Sequence, residues 1–72
     1  MKKEPFIITV IQDLTRISTI VNSHFRDEKK TAIWLNTSNH LLGYKMPIEM
    51  IFEGRTNKLI EFIKSSLEEN VI

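Results

Sequence analysis

The chain has 72 residues, with ten basic and nine acidic side chains and a net charge of +1. So short a chain makes one domain and buries only about 60% of the surface that its unfolded form exposes. The absence of cysteine excludes disulfides and thiolate metal sites, and the dispersed, balanced charge is not the one-faced Lys and Arg cluster of a nucleic-acid binder.

Hydrophobic residues make up 42% of the chain, enough for a folded protein rather than a disordered one. A core of this size supplies only about 3–5 kcal/mol, so a homodimer or a permanent partner is expected. Met1-Lys2-Lys3 starts like a signal peptide. However, the apolar run Phe6–Ile11 meets Gln12-Asp13 at once, and no small-residue cleavage site follows. The run is also far short of the ~20 apolar residues that a membrane helix needs. A soluble, cytoplasmic protein is expected.

Met1 to Glu4 should fray, and Pro5 suits the first turn of a helix, where a missing N–H costs nothing. From there Ile7, Val10, Ile11, Leu14, Ile17, Val21 and Phe25 recur at helical spacing, opposite Thr9, Gln12, Arg16, Thr19 and Ser23. The pattern predicts an amphipathic helix of about five turns, although Phe6–Ile11 alone is rich in strand formers. Ile8 and Ile20 lie off this stripe. They are either stray exposed side chains on a wide core face or part of a dimer surface.

Arg26-Asp27-Glu28-Lys29-Lys30 interrupts the apolar pattern. Asp27 is the expected N-cap of a second helix, with Glu28 favoured in its first turn by the helix dipole. That helix should end at Leu35. The run Ala32-Ile33-Trp34-Leu35 suggests burial on more than one side, with Trp34 as a core anchor or, alternatively, as a partly exposed binding anchor.

Asn36-Thr37-Ser38-Asn39 is turn material, because each side chain can bond nearby backbone. Leu41 and Leu42 should pin the loop to the core, and Gly43 should supply a positive φ or a close backbone approach. Pro47 and Glu49 suit the first turn of a third helix. Ile48, Ile51 and Phe52 share one face of it and are expected in the core. Met50 points the other way and, with Met46 and Tyr44, forms either an exposed, adaptable patch or the edge of the core. Gly54 should end this helix, and Thr56 can cap the last one. There Leu59, Ile60, Ile63, Leu67 and Val71 form the apolar stripe, with Phe62 at its margin. Asn57, Glu61, Lys64 and Glu68 should face water, with Glu61 and Lys64 spaced for a weak ion pair of about 0.2–0.5 kcal/mol.

The segment Trp34-Leu35, a short Asn-containing polar turn, Leu42-Gly43 and then Pro47-x-Glu49 before hydrophobic residues resembles the toxin-binding domain of the MbcA/ParS/Xre antitoxins. Gly54 and the amphipathic segment after it extend the resemblance over Arg26 to Ile72. Two positions depart from the family pattern. Tyr44 stands where a second glycine often follows, and Met46 stands where Thr or Ser often caps the helix.

The resemblance implies a non-catalytic module that neutralises a cognate toxin, commonly of the RES type that consumes NAD. It does so by occluding the toxin's active site, often with its C-terminal end. Full antitoxins of the family usually carry a DNA-binding domain in front, for which 72 residues leave no room. The candidate partner-binding residues are Asn39, Gly43, Tyr44, Lys45, Met46 and Met50 in the loop and third helix, and Glu68, Glu69, Val71 and Ile72 in the acidic tail.

No catalytic, metal or cofactor site is expected. His24 and His40 are far apart in sequence and lack the partners of a ligand cluster. No phosphate-cradling glycine loop is present. Glu49 and Glu53 lie one turn apart, as hydrolytic carboxylate pairs sometimes do, but read better as a solvated helix face. A helix-turn-helix reading of Thr37–Gly43 fails because the next helix carries two acids and no base, which phosphate would repel. The expected fold is all-α, a small bundle of about four helices: one long N-terminal helix, two short ones and a C-terminal one that closes the core. The alternative function is a structural or regulatory homodimer held by the first helix.

Overall fold

A computed structural model describes residues 6–69 of the chain. It contains four α-helices: α1 (Phe6–Phe25), α2 (Glu28–Leu35), α3 (Pro47–Phe52) and α4 (Thr56–Glu69), with a single 3₁₀ turn at His40–Leu42. The expected all-α bundle is what forms, and α1 packs against each of the other three helices. The expectations for Met1–Pro5, Val71 and Ile72 lie outside the described residues, as do those for the side chains of Glu68 and Glu69. Among the described residues no helix is long and apolar enough to cross a membrane.

The helix ends follow local chemistry. At the end of α1, Arg26 adopts a positive φ of 55°, and its N–H donates to the Asn22 carbonyl at 2.7 Å. Asp27 then caps α2, its Oδ1 accepting from the N–H groups of Lys29 at 2.9 Å and Lys30 at 3.3 Å. That satisfies two of the donors a helix start leaves orphaned. Gly54, at φ 77°, ends α3 in a Schellman motif. The Gly54 N–H donates to Ile51 at 3.1 Å, and the Arg55 N–H donates to Met50 at 2.8 Å.

The core consists of Val10, Ile17 and Val21 from α1, Leu35 from α2, Met50 and Ile51 from α3, and Leu59 and Ile63 from α4. The stripe of α4 is as the spacing predicts, with Ile60, Phe62 and Leu67 half-buried beside it. Two polar contacts tie helices together. The buried Thr31 hydroxyl donates to Asn22 Oδ1 at 3.0 Å, joining α2 to α1. The buried Thr56 hydroxyl donates to Asp13 Oδ2 at 2.9 Å, joining the start of α4 to the middle of α1. Thr56 therefore does not cap α4. It is the first helical residue, and Arg55 accepts the bond from the Leu59 N–H.

Several apolar residues do not go where periodicity alone sends them. Phe52, expected in the core, is half exposed, while Met50, expected away from it, is buried. The buried face of α3 is Pro47, Met50 and Ile51, one position earlier than the Ile48, Ile51, Phe52 face. One residue is about 100° of a helix, so the whole face turns. Ile7 and Ile11 of α1, both on the predicted stripe, are exposed, and Ile20 is half-buried against the core. In α2 only Thr31 and Leu35 are buried, Trp34 packs half-buried on the core, and Ala32 and Ile33 face water. Leu42 packs on the core as expected, but Leu41 is exposed.

Candidate protein-binding site

The loop between α2 and α3 is closed by its own hydrogen bonds. Asn39 and Lys45 form a single antiparallel bridge, with the Asn39 N–H donating to the Lys45 carbonyl at 3.0 Å. The Asn39 side chain accepts from the Leu41 N–H at 2.9 Å and so caps the 3₁₀ turn. The Asn39 carbonyl accepts from Leu42 at 2.9 Å and from Tyr44 at 3.0 Å. The Ser38 hydroxyl donates to the Tyr44 carbonyl at 2.9 Å. Asn39 is thus held by the loop through its N–H, its carbonyl and Oδ1.

The tip of the loop reverses at Gly43 and Tyr44. Both have positive φ, 71° and 67°, the requirement for the two central residues of a type I′ turn. Gly43 takes the conformation its residue type predicts. Tyr44 takes it against its type, because the left-handed region crowds the Cβ of an L-residue. The Tyr44 side chain is 74% exposed, so no burial of the ring explains the strained backbone.

On either side of the tip the predicted site residues have internal roles. The Lys45 ammonium lies 2.7 Å from Glu53 Oε2, and the Arg55 guanidinium approaches the other Glu53 oxygen at 3.7 Å. The hydrogen bond from Lys45, helped by the charges of Lys45 and Arg55, holds the Glu53 carboxyl below its usual range despite an opposing desolvation effect. Met46 provides no side-chain cap for α3. Its own N–H donates to Glu49 Oε1 at 2.9 Å, which is one half of a capping box. Glu49 is therefore a half-buried capping residue rather than part of a solvated face. Glu61 and Lys64, expected to pair, do not.

The six candidate residues of the loop and third helix accordingly do not form one surface. Gly43 and Tyr44 are exposed at the loop tip, Asn39, Lys45 and Met46 are half-buried beside it, and Met50 is in the core. The burial of Met50 removes it from any patch with Tyr44 and Met46. It follows from the rotation of α3 fixed by the Glu49 cap and by the Schellman turn at Gly54.

Two surface grooves flank α2, neither lined by these residues. One, of about 340 Å3, lies between α1 and α2 and includes Ser18, Asn22, Thr31 and Leu35. The other, of about 310 Å3, is lined by Phe25, Lys30, Ile33, Trp34 and Thr37. Trp34 thus combines both readings, half in the core and half lining a groove. Phe6, Ile7, Ile8 and Ile11 at the start of α1 form a run of exposed apolar side chains. The spacing set Ile8 apart as an exposed or dimer-surface residue, but it placed Ile7 and Ile11 on the core stripe. Among the described residues no three His, Cys, Asp or Glu side chains gather as a metal site would require.

No protein-family model matches the chain, and no curated protein or solved structure compared with it matches either.

Proposed function

We propose that the chain is a non-catalytic protein-binding module of the antitoxin kind, whose partner is a toxin of the RES, NAD-consuming type. One observation carries the binding role. The Leu42–Lys45 turn presents the Tyr44 ring to solvent from a backbone held at positive φ. Strained non-glycine backbone persists only where its surroundings over-determine it, and such strain clusters at functional sites. Tyrosine is also among the residues enriched at interface hot spots, since it offers a large contact area at low entropic cost.

The choice of toxin rests on the resemblance of Trp34–Ile51, Gly54 and the helix after it to the antitoxin domains. The conformation of Tyr44 is consistent with it, because the residue adopts the backbone that a glycine would favour where the family often has one. On this reading the acidic Glu68-Glu69-Asn70-Val71-Ile72 tail reaches a basic nucleotide pocket of the toxin. The protein-binding and cytoplasmic roles belong to the same reading.

The test begins with a pull-down of tagged protein from its own host, with mass spectrometry. Stoichiometric recovery of an enzyme that depletes NAD is the expected result. Removal of residues 68–72 should then abolish protection of NAD while leaving the helical signal unchanged. Full protection by the truncated chain would sink the role given to the tail, and recovery of no such enzyme would sink the choice of partner.

A further inference from the structure

We infer that the N-terminal half of α1 is a self-association surface that joins two copies of this chain about a two-fold axis. Phe6, Ile7, Ile8 and Ile11 are 61%, 62%, 47% and 56% exposed. For Ile8 and Ile11 this exposure has a specific cause. Residues α2 contributes lie beside Ser18, Asn22 and Phe25 on α1, as the Thr31–Asn22 bond and the two flanking grooves show. A helical face repeats after seven residues, near enough to two turns. Going back by sevens, Phe25 and Ser18 lead to Ile11, and Asn22 and Thr15 lead to Ile8. The face that α2 covers therefore continues toward the N-terminus of α1. There α2, only eight residues long, no longer reaches it, and the side chains turn from polar to isoleucine.

A second copy of α1 fits this uncovered face better than an unrelated partner. Phe6–Ile11 contains no charged side chain, so pairing the patch with itself brings no like charges together and desolvates none. A two-fold contact needs only one patch, presented by both copies. The net charge of +1 adds almost no repulsion between them. The four side chains leave on the order of 400 Å2 of apolar surface, the size of the largest patch on a typical monomer. Paired, two such patches bury on the order of 800 Å2, below the standard interface size, which makes the dimer a weak, reversible one.

The experiment is sedimentation equilibrium of the full chain from about 1 µM to about 1 mM, the range in which the dissociation constant of a weak dimer is read. The expected mass rises from that of the 8.5 kDa chain to twice it. Ile8→Glu and Ile11→Glu place like charges at the contact and should raise the dissociation constant at least about tenfold. Their circular dichroism should be unchanged, because both side chains are exposed in the monomer. Phe52→Glu, equally exposed but on α3, should leave the constant unchanged. The chain lacks cysteine, so Ile11→Cys provides a second readout, with oxidation giving a covalent dimer and Phe52→Cys giving little. A wild-type chain that stays monomeric across the range, or a dimer that survives both glutamates, would overturn the inference.

Discussion

Replacing Tyr44 should separate stability from binding. An L-residue in the left-handed region costs about 1–2 kcal/mol relative to its preferred backbone, and Tyr44 stands there at φ 67°. Glycine escapes that cost but gives up about 0.5–1 kcal/mol more backbone entropy on folding. The ring is 74% exposed, so its removal forfeits little burial. Tyr44→Gly should therefore stabilise the fold by up to about 1 kcal/mol. For a domain of this size that raises Tm by up to about 8 °C.

Tyr44→Asn should do similarly, because asparagine tolerates the same backbone. Thermal unfolding followed by circular dichroism reads this arm. Toxin binding should move the opposite way. Loss of an aromatic hot spot is worth about 2 kcal/mol or more, which is roughly a thirtyfold loss of affinity, read by titration calorimetry with the recovered partner. A fall in Tm for both variants would refute the claim that removing the ring forfeits little burial. A higher Tm with unchanged affinity would refute its role as an anchor.

The two glycines make a matched pair. Gly43→Ala and Gly54→Ala should each cost about 1 kcal/mol or more, and by similar amounts, since a Cβ at either position meets nothing within 4 Å and only the backbone pays. Urea unfolding of both variants checks this, and a neutral result at either would contradict its positive φ. Thr56→Val should cost about 1–3 kcal/mol, because it keeps the shape of a buried side chain while leaving Asp13 Oδ2 without its donor. Asp13→Asn, which can still accept from Thr56, should cost less, and equal losses would argue against the bond as the cause.

Much of the fold was legible because the signals were local. Asp27 caps α2, Gly43 and Gly54 take positive φ, and Leu59 and Ile63 form the centre of the α4 stripe. Each depends on a residue's own side chain and its neighbours within one turn. The length of α4 also gave its stripe enough repeats to define a face. The candidate site was less legible. Tyr44 was singled out as a departure from a pattern and as part of a patch with Met46 and Met50, but nothing in its residue type announces a left-handed backbone. Lys45 was a candidate contact residue, but its partner, Glu53, lies eight residues on, at the C-cap of α3.

By itself the sequence determined that the chain is helical, where most of its helices start and stop, and which of its turns need glycine. Tertiary structure alone decided which apolar faces are covered. In the six-residue α3, Pro47-Met50-Ile51 and Ile48-Ile51-Phe52 satisfy the same spacing, and so short a helix has no further repeat to choose between them. The choice came from the Glu49 cap, the Schellman turn at Gly54 and the packing against α1 and α4. In α1 the periodicity runs unbroken from Ile7 to Phe25, yet only the part within reach of the shorter helices is buried. Periodicity states which side of a helix is apolar. How far a neighbour extends along that side is settled by the lengths of other elements, and so Ile7 and Ile11 face water while Ile17 and Val21 do not.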